Sequence, residues 1–262
     1  MLPVFVTKIV FVSLHLGALA TLFLVSPTTT SIVLLVITYF VRMFAITGGF
    51  HRYFSHRTFQ TSRCFQFILA LAGCTAVQKG PIWWSRNHRA HHAHTDVEGD
   101  PHSPKMSGFF YSHIGWNFDP DPPSVNSPMK DLTRFPELRW LDRYHWIPPS
   151  LLAALCALID GIPGVTWGFV VSTVCLYHMT FLVNSVCHVW GSRRFNTADT
   201  SRNNWWVAIL TLGEGWHNNH HHEQTCTRQG RRWWEVDVTY YLLRLLALSG
   251  IIWGIREPRS SA

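Results

Sequence analysis

Long apolar runs constrain most strongly what this chain can fold into. Residues 4–25 are apolar apart from scattered polar side chains, and a second apolar run covers about 32–46 after the polar break 26–31. Each run is close to the roughly 17–25 residues that an α-helix needs to cross a bilayer. We expect no signal peptide in the first run, because it lacks a basic start and a small-residue cleavage site. Two antiparallel membrane helices joined by a tight turn are expected instead.

Two further apolar segments follow a long polar stretch. Residues 146–159 and 165–187 are separated by Asp160-Gly-Ile-Pro-Gly164, which is a strong turn signal. Only 14% of the residues are charged, against about 25% in ordinary soluble domains. The sequence therefore predicts an all-α integral membrane protein with two helical hairpins. The four predicted membrane helices span about 4–25, 31–50, 144–159 and 164–188.

The positions of the basic residues predict the topology. The turns 26–31 and 160–164 contain no Lys or Arg, whereas cytoplasmic segments of membrane proteins are rich in both. We therefore expect both turns outside, and both chain termini in the cytoplasm. The cytoplasmic part of the single domain, 1–262, is predicted to comprise a helical cap at about 51–143 and 189–256 and a polar tail at 257–262.

Two shorter apolar segments, 64–78 and 203–212, are too short to cross a bilayer. They suit interfacial or cap helices. The tryptophan pairs 83–84, 205–206 and 233–234 are expected at the headgroup boundary, where tryptophan is enriched.

Composition argues against two other classes of protein. The formal net charge is +7, but the basic residues are scattered and form no nucleic-acid motif, so no nucleic-acid partner is expected. The six cysteines include no CxxC pair. We interpret them as small apolar residues in a reducing compartment rather than as a disulfide framework.

Three clusters of histidine carry the functional signal. They read His51-Arg-Tyr-Phe-Ser-His56, His88-Arg-Ala-His91-His92 and His217-Asn-Asn-His220-His221. Residues at i, i+3 and i+4 share one face of an α-helix, so the second and third clusters are each expected to converge. Imidazole is a common ligand of transition metals, and eight such residues indicate two metal ions rather than one.

Two details complete the predicted ligand set. His51 and His56, at i and i+5, do not converge on a straight α-helix. We expect His51 to end the second membrane helix, and His56 to come from the next turn or to serve a different metal. Asn184 and His188 are at i and i+4. His188 is a ninth nitrogen ligand on this interpretation, and Asn184 a residue that holds a metal-bound water.

The remaining histidines are interpreted as ordinary residues, because they have no partner at helical spacing or lie off the converging face. They are His15, His94, His102, His113, His145, His178 and His222. Ligand type alone leaves iron, zinc and copper open, and open positions for oxygen chemistry favour iron.

These motifs resemble the membrane fatty-acid desaturases, most of all the acyl-CoA delta-9 (stearoyl-CoA) branch. Further matches are Asp100-Pro-His-Ser103, Gly108-Phe-Phe-Tyr-Ser-His-Ile-Gly-Trp116, Asn184-Ser-Val-Cys-His188 and Gly213-Glu-Gly-Trp216. The resemblance implies two iron ions, O2 as co-substrate, and a cis double bond introduced into a saturated long-chain acyl-CoA in an apolar tunnel. The implied ligands are His51, His56, His88, His91, His92, His188, His217, His220 and His221, with Asn184 acting through water; no other catalytic residue is implied.

The resemblance also suggests substrate contacts and partners. Trp84, Trp190 and Trp216 are candidate tunnel walls, and Arg86, helped by Lys79, is a candidate for the CoA phosphates. The chain lacks a heme-binding cytochrome b5 extension and a nucleotide-binding glycine motif. We therefore expect a separate electron donor, such as a ferredoxin or cytochrome b5 with its reductase, and a bacterial-type enzyme in the inner membrane with a cytoplasmic active site.

One departure leaves the acyl carrier open. Animal acyl-CoA members have a basic pair soon after the position of Trp116, and here Asn117-Phe-Asp-Pro-Asp121 follows. Acyl carrier protein and membrane lipid remain alternative carriers.

Two other functions are also consistent with the motifs. A fatty acyl or alkyl hydroxylase would use the same scaffold, but the substrate radical would be captured by oxygen to give an alcohol instead of a double bond. A non-catalytic metal-binding or transport protein is less consistent, because transport would place ligands at mid-membrane.

Overall fold

The computed structural model describes residues 4–119 and 123–259, and it is almost entirely helical. Helix α1 is Val4–Leu24 and helix α2 is Thr29–Phe44. Between them, the Thr28 hydroxyl accepts a hydrogen bond from the Ser31 N–H at 2.9 Å, and the Ser31 hydroxyl accepts one from the Thr28 N–H. This capping box satisfies backbone donors at the start of α2 and fixes the predicted turn.

The sequence predicted that the second membrane helix ends at about residue 50, but the chain stays helical beyond that residue. It continues from α2 as a π-helix over Ala45–Ser55. Together these form one helical segment, Thr29–Ser55, of 27 residues. The expectation that His51 ends this helix is therefore wrong. A π-helix adds residues to each turn through backbone i→i+5 hydrogen bonds, and the N–H of His56 makes such a bond to the His51 carbonyl at 3.2 Å.

A third long helical segment runs from Ile147 to His188. It consists of α9 (Ile147–Val165), a π-helical stretch (Thr166–Val171), α10 (Ser172–Ser185) and a 3₁₀ turn (Val186–His188). The predicted turn appears as a break at Asp160 and Gly161, where Gly161 has φ 57° and ψ −137°. Glycine adopts such a positive φ without steric cost.

The chain folds back at this break. A Cβ built on Gly164 would lie 2.1 Å from the carbonyl oxygen of Cys156, eight residues earlier. The Thr28 hydroxyl donates to the Asp160 carboxylate, and the Trp167 indole donates to the Val25 carbonyl at 3.0 Å. The two predicted turns are therefore in contact with each other.

Within the described residues, three segments are long and apolar enough to cross a membrane: Val4–Leu24, Thr29–Ser55 and Ile147–His188. Their packing includes a buried cation, Arg42, whose guanidinium donates to the Ser172 and Thr173 hydroxyls at 2.6 Å. Apolar side chains on α1 and α2 are left exposed, as for surfaces that face lipid.

Short helices build the rest of the molecule around the ends of these segments. They are α3 (Arg63–Cys74), α4 (Pro81–His94), α5 (Pro104–Ser107), α6 (Phe109–His113), α7 (Lys130–Thr133), α8 (Pro136–Arg143), α11 (Trp205–Leu210), α12 (His217–His222) and α13 (Val238–Leu248), with 3₁₀ turns at Gly115–Phe118 and Pro123–Asn126. Strands β1 (Gln60–Thr61) and β2 (Ile252–Trp253) pair antiparallel, with Gln60 opposite Trp253. The main core contains Phe50, Phe54, Leu138 and Leu141, all buried.

The tryptophan pairs and the C-terminal tail differ in part from what the sequence predicted. The pairs at 205–206 and 233–234 are exposed, but Trp83 is only 4% exposed and Trp84 is half-buried, so the 83–84 pair does not lie at a surface. Within the predicted polar tail, Glu257 accepts hydrogen bonds from Tyr240 and Arg244 at 2.8 Å. Residues 260–262 of that tail lie outside the described part of the chain.

Candidate metal centre

Five imidazoles converge at the cytoplasmic-side cap predicted from sequence. Their Nε2 atoms face each other: His51 to His220 at 3.1 Å, His56 to His88 at 2.8 Å, and His92 to both His88 and His220 at 3.0 Å. We call this set the five-histidine group; it contains His51, His56, His88, His92 and His220.

The π-helix explains how His51 and His56 share one group. The i→i+5 periodicity of Ala45–Ser55 places residues five apart on one side of the helix, and the two ring centroids are 4.8 Å apart. His56 caps this helix, with its N–H donating to the His51 carbonyl at 3.2 Å. His56 therefore comes from the turn that follows the helix, as one of the two alternatives predicted, whereas the other alternative, a different metal for His56, does not fit its place in the same group as His51.

Four further imidazoles form a second set, the four-histidine group. The Nε2 atom of His217 lies 3.0 Å from those of His188 and His221. His91 completes the group, and all four residues are buried. The nine histidines singled out in the sequence are thus divided between two sets that each could hold a metal ion.

Helices α4 and α12 each supply both groups. On α4, His88 and His92 face the five-histidine group, whereas His91 faces the other. At about 100° per residue, His91 is rotated about 60° from His88 in the opposite sense to His92. On α12, His220 belongs to the first group, and His217 and His221 to the second. The three residues of each motif therefore do not converge on one ion.

Carboxylates hold the outer nitrogens of several of these rings. The Nδ1 atom of His91 lies 2.9 Å from Asp100, and that of His221 lies 3.0 Å from Asp199. His51 pairs with Glu214 in the same way. A ring that donates its Nδ1–H to a carboxylate must present an Nε2 lone pair on its other side.

Asp96 plays a similar part near His188, at 3.5 Å from its Nδ1, and it also accepts the Thr200 hydroxyl at 2.7 Å. The sequence reasoning did not identify these four carboxylates as supports. Their signal was present, because Asp96 and Asp100 follow the second cluster closely and Glu214 precedes His217.

The carboxylate of Glu214 stays ionised despite its burial. Burial raises the pKa of this carboxyl, but His51 and Arg52 beside it lower the pKa to about 2. Arg52 is fully buried and also pairs with Asp237 at 2.9 Å. The Glu214 anion is thus available to hold the His51 ring over the whole physiological pH range.

The geometry fits bound metal. Burial and the neighbouring imidazoles hold the pKa of His88 and His92 well below the ordinary histidine value, so these rings are neutral. The rings of His51, His91 and His221, whose Nδ1 atoms are held by carboxylates, each direct an Nε2 lone pair into their group. A metal cation is a suitable partner for these lone pairs. Nitrogen ligands at right angles, each about 2.1 Å from an ion, lie about 3.0 Å apart, which matches the observed Nε2 separations.

Seven histidines lie outside the two groups. His102 stacks near His91, with ring centroids 4.4 Å apart, and forms a further cluster with His91 and Asp100 that could hold an ion. The ordinary interpretation of His102 therefore missed its place beside the centre. His222 stacks on Phe195, and His15, His178 and His113 form a hydrogen-bonded chain with 3.1 Å links.

An apolar cavity of about 260 Å³ leads towards the centre. Its wall includes Val10 and Leu14 of α1, Ala153 of α9 and Phe181 of α10. Trp84 lines this cavity and also two small adjoining cavities of about 50 Å³ each. The walls of those small cavities contain His51, His88, His91, His102, His217 and Asn184. Trp84, stacked 5.0 Å from the His88 ring, therefore stands where the cavity meets the histidines.

Among the other candidate substrate residues, Lys79 lines this cavity, whereas Trp190, Trp216 and Arg86 are not among its wall residues. Trp190 is 58% exposed and packs against Phe109, while the Trp216 indole donates to the Val236 carbonyl at 2.8 Å. Arg86 on α4 is half-buried, and Lys79 does line the cavity wall. Asn117 is a wall residue as well, and Asp121 lies outside the described residues.

The fold and the site together define a helical protein with segments long and apolar enough to cross a membrane and with two groups of histidines that could each hold a metal ion. The chain belongs to the fatty acid desaturase family, whose model matches residues 27–251. It is similar to an sn-1 stearoyl-lipid 9-desaturase of Anabaena variabilis, with 38% identity over 254 residues that cover 96% of this chain and 93% of the relative.

Other relatives act on different acyl carriers. An acyl-CoA C20 Delta5-desaturase of Anemone leveillei is 40% identical over 257 residues, covering 95% of this chain and 82% of the relative. A probable chloroplastic lipid desaturase of Arabidopsis thaliana is 43% identical over 226 residues, covering 84% of this chain. This chain spans 62% of that plant relative's length.

Proposed function

We propose that this protein is a di-iron, O2-dependent desaturase that introduces a cis double bond into a saturated long-chain acyl group. The overall reaction converts –CH2–CH2–, O2, two electrons and two protons into –CH=CH– and two molecules of water. The observation that carries the proposal is the meeting, at Trp84, of an apolar cavity with two groups of converging histidine nitrogens.

The nine histidines would hold two ions, and Asn184 in the adjoining wall would contact one of them through water. Iron bound there supplies the activation of O2. The protein's own carboxylates orient the histidine rings by holding their outer nitrogens; they are Glu214, Asp100, Asp199 and Asp96. The buried setting of the rings excludes bulk water from the reacting carbons.

The cavity supports an acyl chain as substrate. Its wall is mainly apolar, with five tryptophan and tyrosine side chains among its lining residues, and such a wall binds a hydrocarbon chain by burial alone. A fixed distance from the far end of the cavity to the histidines would select one methylene pair. We propose the delta-9 position, which is also the position in the name of the Anabaena relative.

A membrane lipid is the acyl carrier that the wall supports best. Val10 and Leu14 of α1 and Ala153 of α9 belong to membrane-crossing segments, so a lipid chain would reach the cavity from the bilayer. Among the described lining residues, Lys79 is the one with a fixed positive charge, whereas CoA carries several phosphate charges. Acyl-CoA is the second candidate, supported by the similarity to the Anemone enzyme.

We propose four membrane crossings, with the segment Ile147–His188 supplying two of them. The reversal at Gly161 and the contact between Cys156 and Gly164 support a hairpin there. The turns that meet at Thr28 and Asp160 would lie outside, and the histidine centre in a cytoplasmic cap of an inner membrane. A separate reduced carrier protein, a ferredoxin or cytochrome b5, would supply the electrons.

The experiment is to express the protein in a desaturase-deficient host that also produces an electron donor, and to locate double bonds in the lipids. A new cis-unsaturated acyl chain is expected. A hydroxylated chain would identify a hydroxylase instead. Unchanged lipids despite an inserted, iron-loaded protein and a functional donor would contradict the proposal. Purified protein given stearoyl-lipid and stearoyl-CoA separately would then identify the carrier.

A further inference from the structure

A basic groove lies directly outside the five-histidine group. It has a volume of about 380 Å³, and its wall includes Tyr53, Phe59, Arg57, Arg134 and Arg256. The three arginines are exposed. We call it the basic groove.

The wall of the groove is close in sequence to the five-histidine group. Arg57 follows the ligand His56 in sequence, with a positive φ of 52° that turns the chain outward. Tyr53, which also lines the groove, accepts the Arg57 N–H at its carbonyl at 3.1 Å. The wall residue Arg57 is thus the direct sequence neighbour of a histidine of the five-histidine group.

A carboxylate ties the groove to two ligand segments. Asp131, in the groove wall, pairs with Arg57 and with Arg89. Arg89 follows the ligand His88 on α4, and its guanidinium also donates to the Ser55 carbonyl at 2.9 Å and the Phe54 carbonyl at 2.6 Å. The residues that follow two metal ligands therefore meet at one point of the groove, which makes the wall rigid relative to the centre.

The charge of the groove is positive. Arg57 and Arg89 share the single carboxylate Asp131. The Arg134 guanidinium lies 4.6 Å from the Phe135 ring centroid, and the Arg256 backbone donates to the Thr58 carbonyl at 2.9 Å, which fixes the positions of both residues. Exposed charges of one sign at a surface steer an oppositely charged partner and raise its rate of association.

We propose that the basic groove is the docking surface for an acidic one-electron carrier protein. This rests on the proposed function, which consumes two electrons per turnover at a buried centre, so that the carrier docks and leaves twice per double bond. Electron transfer weakens steeply with distance, and the groove wall includes Arg57, next to the ligand His56, and Asp131, which pairs with Arg89 next to the ligand His88. Weak encounters of this kind use small, charge-matched interfaces.

The test uses full-length protein in neutral-lipid nanodiscs and an oxidised plant-type ferredoxin as the probe. The variant Arg134→Glu/Arg256→Glu reverses two groove charges. The matched control Lys105→Glu/Arg232→Glu makes the same change in net charge at exposed residues that do not line the groove. Binding to the metal-free protein at low ionic strength should weaken about tenfold or more in the groove variant and stay unchanged in the control.

Turnover of the iron-loaded protein separates this proposal from the proposed function. With a small chemical reductant, the groove variant should form unsaturated product at the unaltered rate, and with ferredoxin its KM for the carrier should rise. No product with either reductant in the unaltered protein would overturn the proposed function. Equal loss of ferredoxin binding in the groove and control variants would overturn the docking proposal. It would also be overturned if the groove variant lost affinity for vesicles of anionic lipid but not for ferredoxin.

Discussion

The Nδ1 atom of His91 lies 2.9 Å from a carboxylate oxygen of Asp100, and both side chains are buried. Asp100 is held in turn by the backbone N–H groups of Asp96 and His102, at 2.8 and 3.1 Å. Burial alone would raise the pKa of the Asp100 carboxyl, but the charge interactions and hydrogen bonds around it, chiefly with His91, together lower the pKa by a larger amount. The net pKa is below the ordinary value, so the group is an anion. The loop after α4 is therefore built to orient one ring of the four-histidine group.

Replacement of Asp100 by Asn should weaken metal binding to the four-histidine group. The amide keeps the shape but removes the charge that favours the correct His91 tautomer, and loss of such a support lowers metal affinity about 10- to 100-fold. Iron titration of the metal-free protein checks this. Glu98→Gln, two residues away and exposed, is the matched control. Equal iron affinity in both variants would argue against the role of Asp100.

His220→Ala should abolish desaturation and reduce bound iron from two ions per chain to about one, because the five-histidine group loses a central nitrogen. His222→Ala, on the same helix α12 and stacked on Phe195, should retain both ions and full activity. Metal analysis and fatty-acid profiling provide the measurements. Retained activity in His220→Ala would remove this residue from the ligand set.

Removal of metal should lower thermal stability. The facing Nε2 lone pairs in each group lose the cation between them, and binding to the native state stabilises by about 4 kcal/mol when free metal exceeds its Kd a thousandfold. The intrinsic fluorescence of the tryptophans reports unfolding. Addition of Fe²⁺ should restore the original Tm. A metal-free protein with the same Tm as the loaded one would contradict this interpretation of the geometry.

Gly164→Ala should destabilise the hairpin after α9. The added Cβ would lie 2.1 Å from the Cys156 carbonyl oxygen, which is backbone and cannot move aside without opening the turn. A loss of about 1–3 kcal/mol is expected, as for other overpacked sites. Gly17→Ala, where the Cβ would meet Val170 at an ordinary 3.4 Å, is the control. The yield of monodisperse protein and its Tm are compared, and similar values for both variants would show that the turn tolerates a side chain.

The sequence predicted the helical class, the two turns and the nine histidines, because apolar run length and helical spacing are local signals. It did not predict the π-helix at Ala45–Ser55, since α and π conformations differ by the hydrogen-bond register and share residue preferences. For that reason the end of the second helix was wrongly placed at His51, and the sharing of one group by His51 and His56 was not foreseen. The division of α4 between two groups was also missed, because spacing describes one helix and the second group needs His188 and His217 from elsewhere in the fold.

The supporting carboxylates and the cavity depend on tertiary contacts. Asp199 reaches His221 across 22 residues, and the cavity joins α1 to α9 and α10. Of the three tryptophans predicted as tunnel walls, Trp84 lines the cavity, Trp190 is exposed and the Trp216 indole donates to the Val236 carbonyl.

Helix α12 has one further consequence. Within six residues it presents His220 to one set of nitrogens and His217 and His221 to the other. It has six residues, five of them buried, so a shift of its axis would move nitrogens of both groups together. Ions bound in the two groups would therefore be coupled through this helix, and a change of charge at one would be felt at the other.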